Sequence, residues 1–300
     1  MRRVGFAGAG AWGQALAHVA RTAGHEVAIW SRHSQSVSTL STCDVIVVAV
    51  PAQVVRECLE VIKSPPHIPL IVAAKGIEEH SGKFMNEVVT ETVPGAEVLV
   101  LSGPSFAADV VKGLPTAVTL AGPTLAAAGS WANAFTLPSF RVYASDDVLG
   151  VEVGGALKNV LAIACGISDG SKLGDSARAA LTTRGFAELM RFGKKVGARP
   201  ETLTGLSGLG DLLLTCSSRQ SRNYSFGLAV GQGLSVPNAL AISRGVVEGA
   251  CTAQVAHELA LRHGVDMPIV TAVAAIIHQG SDPAQEIARL LARPVREEIR

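Results

Sequence analysis

The 300-residue sequence predicts an α/β chain, with a doubly wound, mostly parallel sheet in residues 1–145 and an all-α domain in residues 146–300. Three observations carry this. Through the first half, short and nearly continuous apolar runs alternate with helical patterns, as expected for parallel strands buried on both faces. The strand signal then stops near Ser145-Asp146-Asp147, and the rest reads as helices punctuated by Gly and Pro. The first apolar run also opens directly into a glycine-rich turn that leads into a helical pattern. The length suits roughly two domains.

Strands are expected at 3–7, 27–30, 45–50, 68–73, 98–101 and 117–121, with a last extended piece at 140–144. In the second half, residues 148–166 are apolar around most of a helical circumference, which predicts a central, buried helix. Residues 177–196 are amphipathic, with Gly197 as a stop and Pro200 beyond it. Further helices are expected at 223–230, 251–262, 268–278 and 283–291. The last carries Asp282 as N-cap, Pro283 at the first position and Gln285 at the third, a capping-box pattern. The stretch 204–221 is rich in Gly, Ser and polar residues and reads as something a core does not need. No repeat or low-complexity segment interrupts the chain.

Composition removes several function classes. Lys and Arg number 26 against 25 Asp and Glu, a net charge of +1, so the basic excess of a nucleic-acid binder is missing. Aromatics are only 4%, which disfavours base stacking. The five cysteines, Cys43, Cys58, Cys165, Cys216 and Cys251, form no CxxC pair and are odd in number. Neither a disulfide framework nor a zinc site is expected, and a reducing cytoplasm is the default. The histidines lack metal-ligand spacing. The basic start is followed at once by a glycine-broken strand, so it is not read as a signal peptide. No run is expected to reach the roughly 20 apolar residues that span a bilayer.

The glycine turn is Gly8-Ala9-Gly10-Ala11-Trp12-Gly13, between the strand 3–7 and a helix expected over 14–23. Strand, turn, helix and second strand fall within about thirty residues, the pattern of a Rossmann-type dinucleotide site. Gly8 permits the tight turn, Gly10 lets backbone approach a pyrophosphate, and Gly13 permits close helix–strand packing. The phosphates would rest on free N–H groups at the helix start. After the second strand comes Ser31-Arg32-His33, with no acid to hold a ribose 2′-hydroxyl. Arg32 suits a 2′-phosphate, which predicts NADPH in preference to NADH. A solvated loop position is the alternative for Arg32.

Ligands of an open parallel sheet bind at the carboxyl ends of its strands. Three such ends carry unusual residues: Pro51-Ala52-Gln53, Ala74-Lys75-Gly76, and Ser102-Gly103-Pro104-Ser105-Phe106-Ala107. A lysine at the end of an apolar strand is desolvated unless it meets an anion or snorkels to solvent. Lys158 is the one strong charge between Glu152 and Asp169 on an otherwise apolar helix. It either snorkels or points into a cleft. There, burial and a second cation would lower its pKa into a range useful for acid–base work.

These motifs, together with Gly155-Ala156-Leu157-Lys158-Asn159, the long run Gly205–Cys216, Gln220-Ser221-Arg222-Asn223 and Val246-Val247-Glu248-Gly249, give the chain a resemblance over nearly its whole length. It resembles the NAD(P)-dependent glycerol-3-phosphate dehydrogenases of bacterial type. The resemblance implies reversible reduction of dihydroxyacetone phosphate to sn-glycerol 3-phosphate, feeding glycerophospholipid synthesis in the cytoplasm, without a metal, in a protein that forms a homodimer. It also implies roles. Lys158 is the proton donor and acceptor, supported by Lys75 and Asp211. Substrate contacts fall to Lys75, Gly103, Ser105, Lys158, Asp211, Ser221, Arg222 and Asn223. Beyond Gly8, Gly10 and Gly13, cofactor contacts fall to Ala11, Trp12, Arg32, His33, Lys75, Ala107, Arg222, Val246 and Glu248. Reduction of a ketone develops an alkoxide that needs a proton and a positive field, which Lys158 and Lys75 would supply. Asp211 and Thr215, one helical turn apart, would hold Lys158.

The chain departs from the family at 31–44. Only these residues connect the second and third strands, where the family has a longer segment. Two alternatives follow: a related β-hydroxyacid dehydrogenase, which the 208–216 and 221–223 stretches oppose, and a trimmed, non-catalytic NADPH-binding regulator, which the retained Lys75, Lys158, Asp211 and Arg222 oppose.

Overall fold

The computed structural model describes residues 1–32, 36–243 and 245–294. The first half runs β1 (Arg3–Ala7), α1 (Ala11–Thr22), β2 (Glu26–Trp30), β3 (Val45–Val48), α2 (Val55–Ile62), β4 (Leu70–Val72), α3 (Met85–Thr92), β5 (Val98–Ser102), α4 (Ala107–Val111), β6 (Thr116–Ala121), α5 (Leu125–Phe135) and β7 (Phe140–Ser145). The second half is helical. Its first helices are α6 (Val148–Gly170), α7 (Asp175–Val196), α8 (Pro200–Leu203) and α9 (Asp211–Ser217). They are followed by α10 (Arg222–Gly231), α11 (Val236–Ala241), α12 (Glu248–His263), α13 (Pro268–His278) and α14 (Pro283–Leu291).

The strands form one sheet in the order β2-β1-β3-β4-β5-β6-β7. The first five pair in parallel, β6 runs antiparallel to β5, and β7 is parallel to β6. This is the expected doubly wound, mostly parallel sheet followed by helices. The chain leaves β1 for β2 on one side and returns to β3 on the other. A crevice therefore opens beyond the carboxyl ends of β1 and β3, where such sheets take their ligands. β4 is shorter than the apolar run containing it, because Pro69 has no N–H for the ladder. Among its described residues, the connection from β2 to β3 holds one 3₁₀ turn, Val37–Thr39. Leu40 and Cys43 are buried against Gly5 of β1, so the short connection still covers that strand.

Helix α6 is the axis of the second half. Asp147 caps it, accepting from the Gly150 N–H at 3.0 Å. Its 23 residues are buried along nearly their whole length. The expectation that nothing here approaches a membrane span is corrected: α6 is long and apolar enough by composition. However, 89% of its most apolar window lies inside the protein, so it is a core helix. Glycines set its approach to α10. A Cβ at Gly227 would stand 2.1 Å from the Ile163 carbonyl oxygen, and one at Gly166 would stand 2.1 Å from that of Tyr224. The two helices pack backbone to backbone, which larger side chains would prevent.

The reading of 204–221 as dispensable to the core is also corrected. Leu206–Gly210 forms a π-helical turn that runs into α9, and Leu212 and Cys216 enter the main core. The glycines that hide this helical pattern are what let it pack. A Cβ at Gly208 would stand 1.9 Å from the Leu203 carbonyl oxygen, and one at Gly154 on α6 would stand 2.5 Å from that of Ser207.

Candidate active site

The glycine turn has the geometry its spacing predicts. Gly8 has φ +119°, a left-handed conformation that favours glycine. A Cβ at Gly13 would lie 2.1 Å from the Gly8 carbonyl oxygen, so only glycine lets α1 start this close to β1. Space over Gly10 is open. No acid stands in the first turn of α1, where the helix dipole and free N–H groups favour an anion. Trp12 follows, its indole Nε1 buried and without a partner, and its ring packs on the same apolar cluster as Ala107. Ala11 is exposed at the helix start. The residues present fit a dinucleotide pyrophosphate.

Across the junction stands a cluster of charges. Lys75, just beyond β4, donates to Asp211 Oδ2 at 2.8 Å and to the Gly103 carbonyl at 2.9 Å. Lys158, on α6, donates to Asp211 Oδ1 at 2.5 Å and to Thr215 Oγ1 at 3.1 Å. Thr215 in turn donates to the Asp211 carbonyl at 2.6 Å, closing one turn of α9. One carboxylate thus serves two ammonium groups; Asp211 and Lys158 are buried and Lys75 is partly buried. Burial pulls the Lys158 pKa down, Asp211 pushes it back, and nearby Lys75 lowers it further, leaving it at about 8. Burial raises Asp211, but Lys158 and Lys75 more than offset this and hold it below the ordinary carboxylate range. The cluster carries a net positive charge, one more ammonium than carboxylate.

The other expected residues are placed as follows. Gly103 has φ +141°, and a Cβ there would meet the Val118 backbone at 2.8 Å. Ser105 donates to the Gly103 carbonyl at 3.0 Å. Ser221 caps α10, accepting from Tyr224 N–H, and exposed Arg222 opens that helix. Asn223 is buried and committed to the protein. It donates to Asn159 Oδ1 and accepts from the Gly249 N–H, both at 2.9 Å. Val246 is exposed, whereas Glu248 is partly buried and accepts from Ala52 N–H at 3.2 Å. Burial lifts the Glu248 carboxyl to about 7, and its Oε2 has no partner. Arg32 is exposed and pairs with Glu57 at 3.2 Å. His33 lies outside the described residues.

Asn159 is a residue that the sequence reading did not assign. Its amide donates to the Lys75 carbonyl at 3.2 Å and accepts from Asn223, so it joins the Lys75 loop, α6 and α10. Its only sequence signal is its place beside Lys158. Among the described residues no group of three or more His, Cys, Asp or Glu is arranged to hold a metal.

A dinucleotide turn at the carboxyl end of β1 and, beyond the end of β4, two lysines sharing one buried carboxylate define an NAD(P)-dependent dehydrogenase. Family models agree. Residues 147–288 match the C-terminal model of NAD-dependent glycerol-3-phosphate dehydrogenase, and residues 3–42 and 34–128 match its N-terminal model. The chain belongs to the NAD-dependent glycerol-3-phosphate dehydrogenase family. A glycerol-3-phosphate dehydrogenase [NAD(P)+] of Parvibaculum lavamentivorans is 45% identical, covering 99% of this chain and 98% of the relative. One from Beijerinckia indica is 47% identical over the same shares. The crystal structure of glycerol-3-phosphate dehydrogenase from Coxiella burnetii superposes with a TM-score of 0.91 at 36% identity, covering 97% of this chain and 99% of that one. The alignment to the Parvibaculum relative is 329 positions long over a 300-residue chain, so that relative carries residues this chain lacks. The two N-terminal matches meet at 34–42, inside the short β2–β3 connection.

Proposed function

We infer that this chain reversibly reduces dihydroxyacetone phosphate to sn-glycerol 3-phosphate, with Lys158 as the acid and base. The observation that carries this reading is the Lys158–Asp211–Lys75 cluster, buried beyond the strand ends opposite the glycine turn. A dinucleotide bound on that turn supplies or accepts the hydride. Lys158 gives its proton to the alkoxide oxygen and becomes the neutral amine. A pKa of about 8 makes that transfer feasible near neutral pH and reversible. Asp211 and Thr215 fix the direction of the Lys158 ammonium. Lys75 adds positive field at the developing charge. Arg222, at the start of α10, is suited to the substrate phosphate. Asn223 supports the site through Asn159 and Gly249, because its amide is already engaged with both.

NADPH is the favoured cofactor in this reading, through Arg32. Glu57 competes for that guanidinium in the free protein. The five free thiols are consistent with a reducing cytoplasm. The product feeds glycerophospholipid synthesis, and the working unit is a homodimer. A spectrophotometric assay of NADPH oxidation tests the substrate. Dihydroxyacetone phosphate is expected to support turnover and 3-oxo acids are not. Turnover with 3-oxo acids alone would favour a β-hydroxyacid dehydrogenase, and none with either would favour a binding protein.

A further inference from the structure

Helix α6 carries a second buried ionisable group that the proposed chemistry does not use. Glu152 sits on α6, one helical turn before Gly155, with its carboxyl wholly inside the protein. Its Oε1 accepts from the Asn86 N–H at 2.8 Å, in the first turn of α3. This bond ties the helical half to the helix that follows the Lys75 loop. Its Oε2 is buried with no partner, and so is the Ser102 hydroxyl. Both line one narrow gap with Lys75, Gly76, Met85 and Gly155. A Cβ at Gly155 would stand 2.8 Å from Ser102 Oγ and 3.5 Å from Lys75 Cγ, so the lysine stem runs along this part of α6.

We propose that Glu152 is a positioning residue for Lys75: it pins α6 to the start of α3, so that the Lys75 stem lies on Gly155 and its ammonium meets Asp211. This rests on the assignment of Lys75 to the active site. A carboxyl with so few partners is a costly way to fill space that an apolar side chain would fill at lower cost; what it supplies instead is an acceptor for the N–H groups at the start of α3. Its protonation state completes the argument. Burial, with a smaller push from Glu87, raises the Glu152 pKa to about 8, against the Asn86 and Met85 N–H groups that favour the anion. Burial thus favours the neutral acid over the carboxylate near pH 7. The charged groups facing it are Glu87 on α3, whose carboxylate accepts from Phe84 N–H, and Lys75 across the gap. Ionised Glu152 would place a second buried anion in the gap that Lys75 lines.

The test compares Glu152→Gln, which keeps the acceptor without the charge, with Glu152→Leu. Glu152→Gln is expected to keep kcat within about twofold at pH 7. Its alkaline fall in log kcat should have a one-proton slope, where the parent loses two protons, one each from Lys158 and Glu152. Glu152→Leu is expected to lose about tenfold to a hundredfold in kcat, as misplacement of a catalytic group does, with KM for NADPH within about twofold. A Leu variant with unchanged kcat overturns the proposal, as does a parent slope of one proton or a two-proton slope surviving in Glu152→Gln. Should Glu152→Leu not fold, the slopes decide alone. Lys75→Ala separates the two readings. If it is inactive while Glu152→Leu is not impaired, only the Glu152 proposal fails. If it is fully active, the site assignment itself fails.

Discussion

A single buried carboxylate, Asp211, holding two ammonium groups is the feature on which the chemistry turns. Each lysine was legible in the sequence as a lone charge in apolar surroundings, and Asp211 through the resemblance. Asn159 and Glu152 were not, because an amide beside a catalytic lysine and a carboxyl near a helix start have ordinary surface explanations. Only contacts across the fold distinguish them. The lowered Lys158 pKa gives a pH prediction. Reduction needs the ammonium form, so its rate should hold below pH 8 and fall above it. Oxidation needs the neutral amine, so its optimum should lie at higher pH. Initial rates in both directions across pH 6–10 check this, and coincident profiles would contradict it. Arg32 makes a second prediction at this scale. Arg32→Asp should lower the NADPH-to-NADH ratio of kcat/KM by about tenfold or more, because it replaces a phosphate-pairing guanidinium with an acid that suits a 2′-hydroxyl. An unchanged ratio would remove Arg32 from cofactor selection.

Among the elements, the strands of the first half were readable because parallel strands buried on both faces leave continuous apolar runs. Helices α2, α3 and α5 were legible only as helical patterns without bounds between them, since short amphipathic stretches are easily outweighed by neighbouring strands. Helix α9 was hidden for a different reason. Its approach is built on glycines and small polar residues, which remove the apolar periodicity that announces a helix. The same device joins α6 to α10, and it can be measured. Gly227→Ala would drive a Cβ into the Ile163 carbonyl, and about 3 kcal/mol of destabilisation is expected, a fall in Tm of about 6–12 °C. Gly129→Ala, in α5 with open space around it, should instead leave Tm unchanged or raise it. Equal effects of the two substitutions would show that the close α6–α10 approach is not maintained in solution.

At the scale of the whole molecule, the sheet and the helices are tied by polar contacts that cross the junction. Lys75 reaches Asp211, Glu152 reaches Asn86, Glu248 reaches Ala52, and Asn159 reaches the Lys75 carbonyl. These contacts are partly buried, so breaking any one leaves a poorly solvated polar group behind. The two halves should therefore unfold together. Scanning calorimetry is expected to show one transition, and two resolved transitions would contradict the coupling. The short 31–44 connection was legible in the sequence as a tight crossover.

Proton transfer by Lys158 is tested by comparing Lys158→Ala with the parent in dihydroxyacetone phosphate-dependent NADPH oxidation, with NADPH affinity measured separately by fluorescence titration. The expected outcome is a kcat lower by about 10²–10⁴-fold with NADPH binding little changed. A Lys158→Ala protein that turns over at the parental rate would contradict it.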